Sequence, residues 1–278
     1  MPAAAQGLTA EQFAATLASD LALPDEPSVP KSLARGKAAL LVPAGDGPFP
    51  AVVMLHQCAG PNPSVFEHAR EAHRRGYVVL LLDALTGRGV DSVCYGPRNG
   101  VNFFRGARDA MLAADHLRTL PKVDPGRVAL VGYSWGAMVG LITASSVHRN
   151  NLRMDSAFNA VVAHYPGCFT FGPPNGKRYD VLGEGIDVQT LILMGERDVE
   201  TPPDECVRKL EPLLASHAPV QFHIFPGLTH CWDCKQIDGL RKIDVRGTEV
   251  TYRFDAAATA DATERTFGFL SQAMPKKN

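Results

Sequence analysis

The chain has 278 residues, of which 45% are hydrophobic and 21% charged, with a formal net charge of −1 at pH 7. This composition supports a large core and excludes wholesale disorder. The near-neutral charge argues against a nucleic acid or an anionic membrane as partner, and no apolar run approaches the ~18 residues of a membrane-spanning helix.

The opening "MPAAAQG" has the small-residue character of a signal-peptide cleavage region, without the basic and apolar regions that precede one. It reads either as a native start or as the remnant of an exported protein. Export is the expected compartment and a cytoplasmic location the alternative. Residues 1–36 are expected to form an N-terminal extension with a short amphipathic helix over 9–18. A single domain is expected over 37–278.

Within that domain, short runs rich in Val, Ile and Leu recur: "AALLV" 38–42, "AVVMLH" 51–56, "YVVLLLD" 77–83, "VALVG" 128–132, "AVVAHY" 160–165, "TLILMG" 190–195 and "VQFHIF" 220–225. Several are apolar at every position, the mark of strands buried on both faces. Helical segments are predicted between and after them, over 64–75, 102–119, 135–148, 203–216 and 256–273. The alternation predicts an α/β fold, a mostly parallel doubly wound sheet flanked by helices. Residues 166–189, rich in Gly and Pro, predict a covering loop. Residues 231–255 read as a loop and hairpin insertion, with the hairpin over 241–255 around an Arg-Gly turn.

"VALVGYSWGAMVG", residues 128–140, places Ser134 between Gly132 and Gly136, with a strand before it and a helix after it. A serine on a sharp strand-to-helix turn needs small residues two before and two after, or strand and helix collide. A glycine-flanked serine can also serve only as a turn or helix cap, but the flanking strand and helix favour a nucleophile. Such a serine needs a base and a group that orients the base.

Of nine histidines, His68, His73 and His116 fall in predicted helices, His148 and His217 at helix ends, and His223 inside a strand. His56, His164 and His230 stand at strand ends or just beyond one. Only His230, in "FPGLTH", follows the last strand, as the chain order Ser, acid, His requires. The acid is expected after the penultimate strand, where "LILMGERDVETPPDE" offers Glu196, Asp198, Glu200 and Asp204. Asp198 is the expected acid because "GERD" resembles a tight turn that projects its fourth residue; Glu200 is next. Glu196 and Glu200 read otherwise as exposed loop carboxylates. The expected oxyanion donors are the backbone N–H groups of Trp135, at a helix start, and Cys58, in the loop after an early strand.

The six cysteines permit disulfides without requiring them. "HCWDC" at 230–234 resembles a metal or redox motif, but further zinc ligands are not evident nearby and a metal would compete for His230. A disulfide from Cys231 or Cys234, with Cys94 or Cys206, is the expected use, while Cys58 and Cys168 read as small packed thiols.

In order over residues 37–273, "HQCAG", "YVVLLLDAL", "GYSWGA", "GERD" and "FPGLTH" resemble the α/β-hydrolase superfamily, and within it the dienelactone hydrolase family. The resemblance implies hydrolysis of an ester or lactone with no metal and no diffusible cofactor. The enzymes that name the family carry a cysteine nucleophile and a glutamate in the loop matching Gln57. Here Ser134 and Gln57 stand in those places, which favours a serine esterase over a hydrolase of dienelactone itself. Arg88, in "LTGRG", falls near the family's arginine that grips a substrate carboxylate, so Gln57 and Arg88 become candidate substrate-binding residues by resemblance. "VDSVCYGPRNG" and 231–255 have no counterpart in compact members.

The expectation is therefore a Ser134-His230-Asp198 hydrolase of small esters or lactones, working through an acyl-enzyme. A serine peptidase or acyltransferase on the same triad is an alternative, as is a non-catalytic binding protein on a hydrolase scaffold. The oligomeric state is left open.

Overall fold

A computed structural model describes residues 40–172 and 175–276. The helix expected over 9–18 lies outside the described residues. Among them, the apolar runs form strands β1 (Leu40–Leu41), β2 (Phe49–Leu55), β3 (Val78–Leu82), β4 (Val123–Tyr133), β5 (Ala160–His164), β8 (Gln189–Gly195) and β9 (Val220–Phe225). They join in one seven-stranded sheet, ordered β1-β3-β2-β4-β5-β8-β9. Every pairing is parallel except β1 with β3.

Successive residues of a strand face opposite sides of the sheet, and here both sides are covered. Val53, Leu55, Leu130 and Val161 belong to one core, with Phe104, Ala107 and Met111 of α2 (Phe103–Thr119) and Val139 of α3 (Trp135–Ala144). Val52, Met54, Val131 and Val162 belong to the other, with Val65 of α1 (Pro63–Arg74) and Phe267 of α6 (Ala256–Ala273). This explains why β3 is apolar throughout, β5 apolar up to His164, and both fully buried. Each such side chain contributes roughly 1.5–3 kcal/mol by leaving water. The edge strand β9 instead exposes Gln221 and Phe222. No described helix is long and apolar enough to cross a membrane.

Side-chain caps fix three helix starts. Asn62, Asn102 and Asp255 accept hydrogen bonds from the backbone N–H groups of Val65, Arg105 and Ala258 at 3.1, 2.9 and 2.8 Å.

Two expectations change. The single helix predicted over 135–148 is divided into α3 and α4 (Ser146–Leu152), because Ser145 is extended between them and its hydroxyl caps the second at His148 N–H, 3.3 Å away. The covering loop contains a small antiparallel pair, β6 (Thr170–Phe171) with β7 (Tyr179–Asp180). Beyond β9, strands β10 (Arg241–Ile243) and β11 (Glu249–Thr251) form a hairpin. Its turn uses Gly247 at φ 83°, where a side chain would be strained.

All six cysteines are paired: Cys58–Cys94, Cys168–Cys206 and Cys231–Cys234. The pairings expected between Cys231 or Cys234 and Cys94 or Cys206 are corrected. Cys58 lies over the loop carrying Cys94 and Cys168 over α5 (Pro203–Ala215), with Cα separations of 4.8 and 4.9 Å. Those distances suit a disulfide and leave Cys231 and Cys234 to each other.

Candidate active site

Ser134 sits where β4 turns into α3, at φ 52° and ψ −110°, a strained conformation for a residue with a side chain. The turn is held by Ser134 N–H to His164 O at 2.9 Å and Gly136 N–H to His56 O at 3.1 Å. The flanking glycines are steric necessities. A Cβ on Gly132 would lie 2.1 Å from the Gly136 carbonyl oxygen, and one on Gly136 would lie 2.7 Å from that of His56. The compressed turn pushes the serine hydroxyl out at the C-terminal edge of the sheet.

His230 arrives from the loop after β9 and Asp198 from the loop after β8, both at that edge and both buried. Ser134 Oγ lies 2.9 Å from His230 Nε2, and His230 Nδ1 donates to Asp198 Oδ2 at 2.7 Å. With the Nδ1 hydrogen engaged, the Nε2 lone pair faces the serine hydroxyl. Asp198 is itself held. Its Oδ1 accepts the backbone N–H groups of Glu200 and Thr201 at 3.0 and 2.8 Å, and its Oδ2 also accepts the Thr201 hydroxyl at 2.7 Å. The Tyr165 ring meets the His230 imidazole edge to face at 4.8 Å. Burial opposes protonation of His230, but the charges of Asp198 and then Glu200 outweigh it and raise its pKa above the ordinary value.

A cavity of about 570 Å³ opens onto Ser134. Its apolar wall includes Val93, Phe103, Trp135, Met138, Phe169 and Phe171, and Arg178, Glu200, Glu205 and Arg246 add charge. Cys58 and Trp135 both line it beside Ser134. Trp135 opens α3, so its N–H has no partner within the helix and can serve a developing oxyanion. A second groove of about 670 Å³ lies between α1 and α6, lined by Ser64, His68, Asp233 and Thr263, away from Ser134.

Gln57 and Arg88 are not brought to the cavity that Ser134 lines. Gln57 is buried, donating to Tyr165 Oη at 3.0 Å and accepting from Asn62 Nδ2 at 2.6 Å. Arg88 pairs with Asp109 at 2.8 Å and donates to Ala84 O at 2.7 Å. Burial pushes the Asp109 carboxyl up to about 7 against the pull of Arg88 and Arg105. Both side chains are occupied in holding loops behind the site.

The other strand-end histidines face elsewhere. His56 is buried, with Nδ1 donating to Gln57 O at 2.5 Å and Nε2 accepting from Ala84 N–H at 3.1 Å, and burial lowers its pKa. His164 is hydrogen bonded to Thr266 of α6 at 3.0 Å, and burial lowers its pKa to about 3.

Several contributors escape the sequence reading. Gly106, inside α2, makes room for the Trp135 indole, since a Cβ there would lie 2.5 Å from Trp135 Cη2. Thr201 locks Asp198, and its signal was the Asp-x-x-Thr spacing followed by two prolines, a turn in which the aspartate caps the next N–H groups. Glu200 is not the exposed loop carboxylate expected. Its Oε1 accepts from Lys242 Nζ at 2.6 Å and its Oε2 from Tyr252 Oη at 2.8 Å.

The fold matches known proteins. An alpha/beta hydrolase enzyme from a Medee basin deep-sea metagenome library superposes with a TM-score of 0.59 at 18% identity, covering 82% of this chain and 86% of that one. A dienelactone hydrolase-like promiscuous phosphotriesterase from metagenomic libraries gives 0.60 at 19% identity, over 82% and 88%. Thermogutta terrifontis esterase 2, phosphorylated by paraoxon, gives 0.60 at 15%, over 86% and 90%. At these identities the likeness shows the fold alone. A comparison with curated proteins gives no match. The model of the dienelactone hydrolase family matches residues 37–274, nearly the whole described chain. On that match the chain belongs to the dienelactone hydrolase family and is an ester hydrolase of the α/β-hydrolase fold.

Proposed function

We propose that the protein is a serine hydrolase that opens carboxylic ester or lactone bonds of small substrates through an acyl-enzyme. One observation carries this reading: the unbroken line of hydrogen-bond distances from Ser134 Oγ through His230 to Asp198, 2.9 and then 2.7 Å. In the acylation step, Ser134 Oγ attacks the ester carbonyl carbon and His230 Nε2 takes the hydroxyl proton. Asp198 fixes the ring and stabilises the imidazolium. The negative oxygen of the tetrahedral intermediate accepts from the N–H groups of Cys58 and Trp135, a donor of this kind being worth about 3 kcal/mol of barrier. His230 then protonates the leaving alcohol, and water repeats the sequence to release the acid.

The aromatic wall of the cavity favours a substrate with an apolar group on one side of the scissile bond. Short p-nitrophenyl esters and peptide anilides, offered to the native protein and to Ser134→Ala, test the reading. Ester cleavage with the anilides left intact is expected, and the variant should lose on the order of 10⁴–10⁶ in kcat. Because a protein of this fold is phosphorylated by paraoxon, that reagent should also label the Ser134 peptide stoichiometrically. Unchanged ester turnover in Ser134→Ala would remove the serine from the chemistry.

A further inference from the structure

Glu200 places a second carboxylate on the far side of the imidazole from Asp198. Its Oε2 is 3.9 Å from His230 Nε2, the nitrogen that faces Ser134 Oγ, and Glu200 lines the same cavity as Ser134. The carboxylate is clamped from the β10–β11 insertion by Lys242 at 2.6 Å and by Tyr252 at 2.8 Å. Two ligating side chains on one carboxylate, both from an element outside the strand-and-helix frame, hold it in a single position beside the reacting nitrogen.

The gap has a chemical meaning. Two acceptors 3.9 Å apart can share one water at an ordinary hydrogen-bond length of about 2.8 Å from each. That is the position from which a water must approach an acyl group on Ser134 while giving its proton to Nε2. We propose that Glu200 is a further catalytic residue, the acceptor that holds and aims the deacylating water. This rests on the acyl-enzyme reading above.

In the step, the water oxygen bonds to the acyl carbon and one water proton passes to His230 Nε2. The other water hydrogen stays in a hydrogen bond to Glu200 Oε2. When the intermediate collapses, the bond from carbon to Ser134 Oγ breaks and His230 returns its proton to that oxygen, so Glu200 ends the cycle as the carboxylate it began. Its charge state suits the role. Burial opposes ionisation, but His230, Lys242 and Tyr252 outweigh it and keep the carboxyl below its ordinary range. The charged and titratable groups around His230 are Asp198, Glu200 and Lys242, and Tyr252 faces Glu200 from the hairpin.

Glu200→Gln keeps the shape and can still contact Tyr252, but its amide is a weaker acceptor for water. With p-nitrophenyl acetate in stopped flow, this variant should release close to one equivalent of nitrophenol quickly and then turn over about ten- to a hundredfold more slowly than native protein. One acetyl group should accumulate on the Ser134 peptide. Hydroxylamine, a stronger nucleophile that needs less help, should restore turnover in the variant. Turnover within twofold of native overturns the proposal, as does a slower rate without acetyl accumulation, which would mark a packing defect instead. Ester turnover that survives in Ser134→Ala overturns the acyl-enzyme reading itself, so the two failures are told apart.

Discussion

The two ends of the site are built by different means. At the Ser134 end, the backbone decides everything. Gly132 and Gly136 leave no space for one more carbon, and the strained Ser134 follows from that packing. At the histidine end, side chains decide: Asp198 is held by Thr201, His230 is braced by Tyr165, and Glu200 is clamped by Lys242 and Tyr252. The first kind of construction fails outright when touched, whereas the second can be adjusted.

Asp198→Asn should show the largest loss on the adjustable side, on the order of 10⁴ in kcat, because the amide favours the wrong tautomer of His230. Steady-state kinetics with the fold checked by circular dichroism measures it, and a loss below tenfold would show that another group orients the ring. Gly132→Ala breaks the rigid side. A contact of 2.1 Å cannot be relieved by a rotamer change, so stability should fall by about 3 kcal/mol or more and Tm by roughly 10 °C. A native-like Tm would show that the turn has slack.

The smallest effect is in pH. A general base must be neutral, so the rate falls as pH drops through the His230 pKa. That pKa is raised, so the acidic limb should lie above the ~6.5 of an ordinary histidine. Lys242 depresses it, so Lys242→Met should move the limb to higher pH, with only a few-fold change in the plateau. Loss of the Glu200 charge should move it to lower pH. Shifts of the same sign in both variants would contradict the electrostatic account.

The contrast also explains what could be read from the sequence. The parallel sheet was legible because β3 is apolar at every position and β5 at all but its last, and Ser134 because its constraint is local, spelled out within five residues. Asp198 and His230 were legible through chain order and strand ends, and the structure brings their side chains to Ser134. Glu200 was not, because its partners Lys242 and Tyr252 lie 42 and 52 residues away. Gln57 and Arg88 followed from family resemblance, yet their side chains are occupied by Tyr165, Asn62 and Asp109. The helix break at Ser145 was missed because a serine within a helical pattern and a capping serine look alike until the following N–H is located. The disulfide pairings needed distances that spacing does not supply.

One of those disulfides, Cys58–Cys94, lines the cavity, and another, Cys168–Cys206, ties together the chain neighbours of Phe169 and Glu205, which line it. Cys58–Cys94 joins segments 36 residues apart, and Cys168–Cys206 joins segments 38 apart. Crosslinks of that span remove roughly 4 kcal/mol of freedom from the unfolded chain. They also fix the entrance before any substrate arrives, so a guest need not spend affinity on ordering loops around itself. Such an entrance sorts visitors as a sieve does, by whether they pass, and not as a glove does, by moulding to each hand. Reducing agents should therefore widen the range of esters accepted before they unfold the protein.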